Sequence, residues 1–228
     1  MKKSSQLHNA CRVLACAFVF AASSAWATVI WDLNPGDANA PVGSSNQTFI
    51  SSGYSITAYG WDNVSGANTP HDLYFKDEGP SDERGLGLVG TPNFELQVSN
   101  GTPLQYIQLD LNSILAKGFT DLKIMVGSVQ TNESFALYGS NALGTLGTKL
   151  GTYGSSFDEV FVSITNLGSN QFLSIAAASG DVLPVEFSAD ISVVPEMNAL
   201  FPTLGLLVVA LSLNVWRERR ALSKVSAS

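Results

Sequence analysis

From Gln47 to Val193 the chain is cut into short runs in which apolar or β-branched residues recur at every second position, and no long stretch repeats with the period of an amphipathic helix. Side chains on a strand point alternately to its two faces, so each such run offers one apolar face that has to be covered. The turn-rich spacing between the runs favours strands that stack as sheets. The clearest run is Phe94 to Val98, with Phe94, Leu96 and Val98 expected on the buried face and Glu95 and Gln97 on the other. In Gln105 to Leu111, Ile107, Leu109 and Leu111 oppose Tyr106, Gln108 and Asp110.

Further strands are expected at Thr28 to Leu33, ahead of the Asn34-Pro-Gly-Asp37 turn, and at Leu73 to Lys76. Gln47 to Trp61 holds two more, broken at Ser51 to Gly53. The second half supplies Asp121 to Val129, Glu133 to Gly139, Val160 to Thr165, Gln171 to Ala178 and Leu183 to Val193. Only Asn112 to Lys117 suggests a helical turn. The fold class this predicts is all-β, a β-sandwich.

Composition narrows what surrounds that sandwich. Lys2, Lys3 and Arg12 precede an apolar run from Val13 to Ala22, and Ala25 and Ala27 flank Trp26 as small residues do at a signal-peptidase site. Residues 1–27 are therefore expected to be a signal peptide, cleaved before Thr28. Both cysteines, Cys11 and Cys16, lie within it. The exported domain, residues 28–192, would have neither disulfides nor thiolate chemistry. Residues 28 to 196 carry 18 Asp and Glu against Lys76, Arg84, Lys117, Lys123 and Lys149, a net charge of −13. Such a surface repels phosphate backbones, which argues against nucleic-acid binding.

Between Glu196 and Arg217 lie 20 residues without a charge, enough at about 1.5 Å per residue to cross a hydrocarbon core of roughly 30 Å. The expected single transmembrane helix is 199–216. Trp216 stands at the interface, Arg217, Arg219 and Arg220 keep that end cytoplasmic, and 221–228 form a short tail. Residues 28 to 196 then face outward. Composition alone is equally met by a permanent single-pass anchor.

The order of parts is more specific. Val194-Pro195-Glu196-Met197, an apolar helix and a terminal arginine cluster resemble the PEP-CTERM sorting signal of Gram-negative bacteria over residues 193–220. Met197 stands where that family usually has proline. The resemblance implies an exosortase-like processing enzyme as partner, transient membrane anchoring, and delivery to the cell surface or extracellular matrix in a setting of exopolysaccharide and biofilm. Arg84-Gly-Leu-Gly-Leu88 followed by Phe94-Glu-Leu96, and later Phe135-Ala-Leu-Tyr-Gly139 with Phe172-Leu-Ser-Ile175 and Ala178-Ser-Gly-Asp181, look like phrases of the jelly-roll domains often fused to this signal, which implies a fold and no activity.

Candidate chemistry is sparse. Asp77, Glu78, Asp82 and Glu83 place four carboxylates in seven residues around a Gly-Pro turn. Two readings stay open for them: a calcium site, since Ca²⁺ takes six to eight oxygen ligands, or a solvated acidic loop partly offset by Arg84. His71 is the only histidine after the signal, and neither a Gly-x-Ser-x-Gly elbow nor a metal-binding histidine pair accompanies it. Trp61, followed by Asp62 and Asn63, is the candidate platform for stacking on a sugar, with packing in the core or rim as the other reading. No catalytic residue and no other cofactor is expected. The reading is a non-enzymatic surface or matrix protein; the alternative is a carbohydrate-binding module, with calcium as a potential requirement.

Overall fold

The computed structural model describes residues 25–35, 39–63, 67–78, 83–193, 208–214 and 216. In chain order the strands of the first half are β1 (Ala25–Asp32), β2 (Ala40–Pro41), β3 (Asn46–Ser51), β4 (Tyr54–Asp62), β5 (Thr69–Pro70), β6 (Leu73–Asp77), β7 (Arg84–Leu88), β8 (Leu96–Ser99), β9 (Thr102–Pro103) and β10 (Gln105–Asp110). A helical turn, α1 (Asn112–Leu115), leads into β11 (Thr120–Gly127), β12 (Ser134–Ser140), β13 (Thr148–Gly154), β14 (Val162–Ser163), β15 (Phe172–Ser179) and β16 (Asp181–Val193).

These strands form a six-stranded sheet in the order β14-β11-β16-β8-β9 with β1 on β16, and a seven-stranded sheet in the order β13-β12-β15-β10-β4-β3 with β5 on β4. A small third sheet is β2-β6-β7. The two large sheets pack as a sandwich. Val29, Trp31, Ile124, Val126 and Phe187 from the first meet Ile56, Ile107, Leu109, Phe135, Leu173 and Ile175 from the second in one buried cluster. Trp31 anchors it, with its ring centroid 5.8 Å from Phe119 and 5.6 Å from Phe187, and its indole Nε1 donating to the Tyr54 carbonyl at 3.0 Å. Each fully buried aliphatic or Phe side chain contributes about 1.5–3 kcal/mol, so a cysteine-free domain of this size is held by such a core.

One expectation is corrected. The strand expected from Phe94 begins instead at Leu96, because Pro92–Phe94 closes a 3-10 turn in which Asn93 and Phe94 have φ of 53° and 61°. Phe94 stacks on Tyr74 at 3.9 Å, and Glu95, assigned by alternation to the solvent face, is 2 % exposed. Strand β10 has Tyr106 and Gln108 on the face opposed to Ile107 and Leu109, and they are buried as those are. Its outer face is covered as well as its inner one.

Gly-rich segments hid two strands. Arg84-Gly-Leu-Gly-Leu88 pairs with β6 from Asp77↔Arg84 to Leu73↔Leu88. Gly87 is required there: a Cβ at that position would lie 1.7 Å from the Phe94 carbonyl oxygen. Gly144-Thr145, Gly147-Thr148 and Gly151-Thr152 form a local Gly-Thr repeat whose later part lies in β13.

The sandwich is the compact unit Ala27–Ile191. Residues 208–214 and 216 are helical, and among the described residues no helix is long and apolar enough to cross a membrane. Most of the expected 199–216 span lies outside the described residues.

Candidate functional site

Two clusters hold the polar groups that a sandwich of this kind buries. The first grows from β6, where Lys76 is buried on the strand face opposite to that of Leu73. Its ammonium is fully buried and lies 2.7 Å from Glu83 Oε2, 2.5 Å from Glu95 Oε1 and 3.8 Å from Glu78 Oε1. A buried charge is tolerated when oppositely charged hydrogen-bond partners surround it. Burial works against the ammonium, but hydrogen bonds and charges from Glu83 and Glu95 outweigh it and hold the Lys76 pKa above its ordinary value. For Glu95 the balance goes the other way. Burial pushes its carboxyl up to about 7 against the pull of Lys76, with Asp181 and Glu83 adding to the rise.

The acidic loop is therefore tied to an internal lysine, through Glu83 and, at longer range, Glu78. Arg84 reaches Asp32 Oδ2 at 2.7 Å and donates to the Asn34 carbonyl at 3.0 Å. Asn34, also buried, donates from Nδ2 to the Lys76 carbonyl at 2.7 Å, so strand and loop share one polar network. Asp82 lies outside the described residues. Among the described residues no group of three or more carboxylates or imidazoles is arranged to hold a metal.

The second cluster covers the outer face of the seven-stranded sheet. Cross-strand register sets Trp61 beside Tyr106, Tyr106 beside Ala176 and Ala176 beside Ala136. The Trp61 and Tyr106 rings are 6.4 Å apart and near parallel. Trp61 is 9 % exposed, a packed side chain, as in the second of the two readings open for it. What covers it is remote in sequence. The loop from Asn141 to Gly147 crosses the face so closely that a Cβ on Gly144 would lie 2.9 Å from the indole.

Gln108, fully buried, fastens that loop: its Nε2 donates to the carbonyls of Thr145 (2.9 Å) and Ala142 (3.4 Å), and its Oε1 accepts from Gly144 N–H at 2.8 Å. Under the loop, Trp61 Nε1, Tyr106 Oη and Ser174 Oγ are buried without hydrogen-bond partners. Burial pushes the Tyr106 phenol well above its ordinary pKa.

The remaining sequence candidates are dispersed. His71 is half-buried, with Nε2 2.6 Å from the Val89 carbonyl and Nδ1 3.7 Å from Asp62 Oδ2. Ala25 and Ala27 lie in β1, which pairs with β16, and Thr28 Oγ1 donates to Asp190 Oδ1 at 2.6 Å. Trp216 is helical and 50 % exposed. Val194, Pro195, Glu196, Met197, Arg217, Arg219 and Arg220 lie outside the described residues.

Sequence reasoning missed the Lys76–Glu95 pair. A lone lysine in a strand followed by four carboxylates was the available signal for one half of it; the 3-10 turn that swings Glu95 inward had none.

The fold is a mostly-β sandwich that buries these two polar clusters. Compared with known proteins, the chain matches no protein-family model and no curated protein.

Proposed function

We propose that this chain is a non-enzymatic exported protein of the bacterial surface or extracellular matrix, sorted by an exosortase-like enzyme and associated with exopolysaccharide in biofilm. The observation that carries this reading is positional. The last strand ends at Val193, and Val194-Pro195-Glu196-Met197 begins at the next residue. A cut at that motif would leave every strand of the sandwich whole, and the apolar run with its arginines would be a removable handle. Calcium is not required by this reading, since Glu83 and Glu78 already face the Lys76 ammonium. Within it, the antiparallel sheets are assigned as a jelly roll.

Fractionation of cells producing the wild type and a Pro195→Ala/Glu196→Ala variant tests it. The wild type is expected in the released or surface fraction, and the variant in the membrane at full length. Equal membrane retention of both would leave a permanent anchor.

Carbohydrate binding is the second reading, favoured by the unpartnered Trp61 Nε1, Tyr106 Oη and Ser174 Oγ beneath the 141–147 loop. Displacing that loop would uncover aromatic faces and three hydrogen-bonding groups together, the combination that holds a sugar ring. Retention on matrix polysaccharide, lost in Trp61→Ala, supports this reading; failure of the wild type to be retained counts against it. Repeating the assay with Ca²⁺ and with a chelator decides any calcium requirement.

A further inference from the structure

The seven-stranded sheet finishes differently at its two ends. Lys149 stands on β13, Gly151 and Gly154 interrupt it, and its ladder with β12 shifts register between Leu137 and Tyr138. Charges, glycines and bulges of this kind stop an edge strand from pairing with another chain. The opposite edge, β3, has none of them. Asn46-Gln-Thr-Phe-Ile-Ser51 pairs with β4 residue for residue, from Asn46↔Tyr59 to Ser51↔Tyr54, without a shift. No charged residue occurs anywhere between Asp37 and Asp62.

The hairpin geometry fixes which groups this edge presents. Ser52 and Gly53 turn the chain with φ of 51° and 80°, the paired positive values of a two-residue type I′ turn. Ser51 and Tyr54 then form a hydrogen-bonded pair, and so do Phe49 with Ile56 and Gln47 with Ala58. Asn46, Thr48 and Ile50 are left with their backbone N–H and C=O directed away from β4. In keeping with this, the Thr48 carbonyl accepts a local bond from Gln47 Nε2 at 3.1 Å, and the Asn46 N–H donates a long one to Ser44 Oγ at 3.3 Å, which a pairing strand would replace. Ile50 is 75 % exposed. Alongside runs a groove of about 360 Å³ between β3 and β1, lined by Ile30, itself 45 % exposed, together with Phe49 and Ile50. Asp32, also on the groove, is paired with Arg84.

Charge selects the occupant. The stretch from Thr28 to Glu196 has a net charge of −13, so two copies repel one another except where their approaching surfaces are uncharged. A second copy of this chain brings such a surface by construction. We propose that β3 pairs antiparallel with β3 of a second copy about a two-fold axis at Thr48, joining two seven-stranded sheets into one. In that register Thr48 meets Thr48, Asn46 meets Ile50, and the outward N–H and C=O groups of both strands are satisfied. Neutrality, straightness and an undefended backbone then have a use at β3 that they lack at β13.

Light scattering of the full chain in mild detergent, over about a hundredfold range of concentration, tests this together with Ile50→Glu and Thr48→Pro. Ile50 is exposed and the Thr48 N–H makes no ladder bond, so both variants are expected to keep the wild-type circular dichroism and melting profile. The wild type should approach twice the single-chain mass as concentration rises, and Ile50→Glu should associate at least about tenfold more weakly. A wild type of single-chain mass throughout, or dimers that Ile50→Glu leaves unchanged, would overturn the proposal. Neither result bears on whether the C-terminal segment is removed.

Discussion

The β6–β7 hairpin buries charge, whereas the outer face of the seven-stranded sheet buries only neutral polarity. Around Lys76 every ionised group has a charged partner, with Glu83 at 2.7 Å and Glu95 at 2.5 Å. Around Trp61 and Tyr106, three polar atoms are buried with no partner, against one neutral oxygen, Asn34 Oδ1, in the first network, and the patch is held by aromatic stacking and by the bonds of Gln108 to the 141–147 loop. The difference follows from cost. An unpaired buried hydroxyl or indole N–H costs about 1–3 kcal/mol, which a well-packed aromatic patch can absorb, while an unpaired buried charge costs several times more. The first cluster is consequently all-or-none, and the second tolerant.

Removing the ammonium breaks this comparison most severely. Lys76→Met should destabilise the β unit by about 3–5 kcal/mol near neutral pH, measured by denaturant unfolding, because Glu95 and Glu83 lose their counter-charge. The loss should shrink at pH 5, where Glu95 can be neutral.

Next in size is the pH dependence of the unaltered protein. Glu95 keeps its proton up to about pH 7 when folded and releases it near its ordinary 4.5 when unfolded. Over that interval the folded state binds more protons, so this contribution to stability is complete below about pH 4.5 and is lost as pH rises through 7, an effect of at most about 3 kcal/mol. Glu133 and Glu186 are raised by burial as well and add in the same direction. A melting temperature higher at pH 5.5 than at pH 8, with the difference reduced in Glu95→Gln, is the expected result.

Smaller effects belong to the neutral patch. Gly144→Ala puts a Cβ against Trp61 at a φ of +73° and should cost about 1–3 kcal/mol, with a change in tryptophan fluorescence as the loop shifts. Tyr106→Phe removes an unpartnered hydroxyl and should change stability by less than about 1 kcal/mol, in either direction. A large loss there would mean that the phenol has a partner, and the contrast between the two clusters would fail.

Period-two patterning and turn clusters located most of the sandwich: Ile107 and Leu109 alternate in β10, while β15, whose apolar residues run consecutively, was marked by the polar residues that bound it. They missed β7 and β13, whose glycines read as turn residues, and alternation put Glu95 on the wrong face because the Pro92–Phe94 turn changes the phase of the chain. The acidic loop was visible as composition, but its tie to Lys76 depends on how β6 is oriented within the fold. Trp61 shows the same limit more sharply. Asp62 and Asn63 beside it pointed to solvent, while the loop that covers it lies some eighty residues further along the chain. Local sequence carries strand content well, and tells little about what a distant loop will cover.

The proposal that this sandwich is a sorted passenger is tested most directly by the intact mass of the protein recovered from the cell surface. The predicted species begins at Thr28, within β1, and ends within Pro195 to Met197, with β16 complete. A surface species that still contains Trp216 and the arginines that follow it would contradict the account.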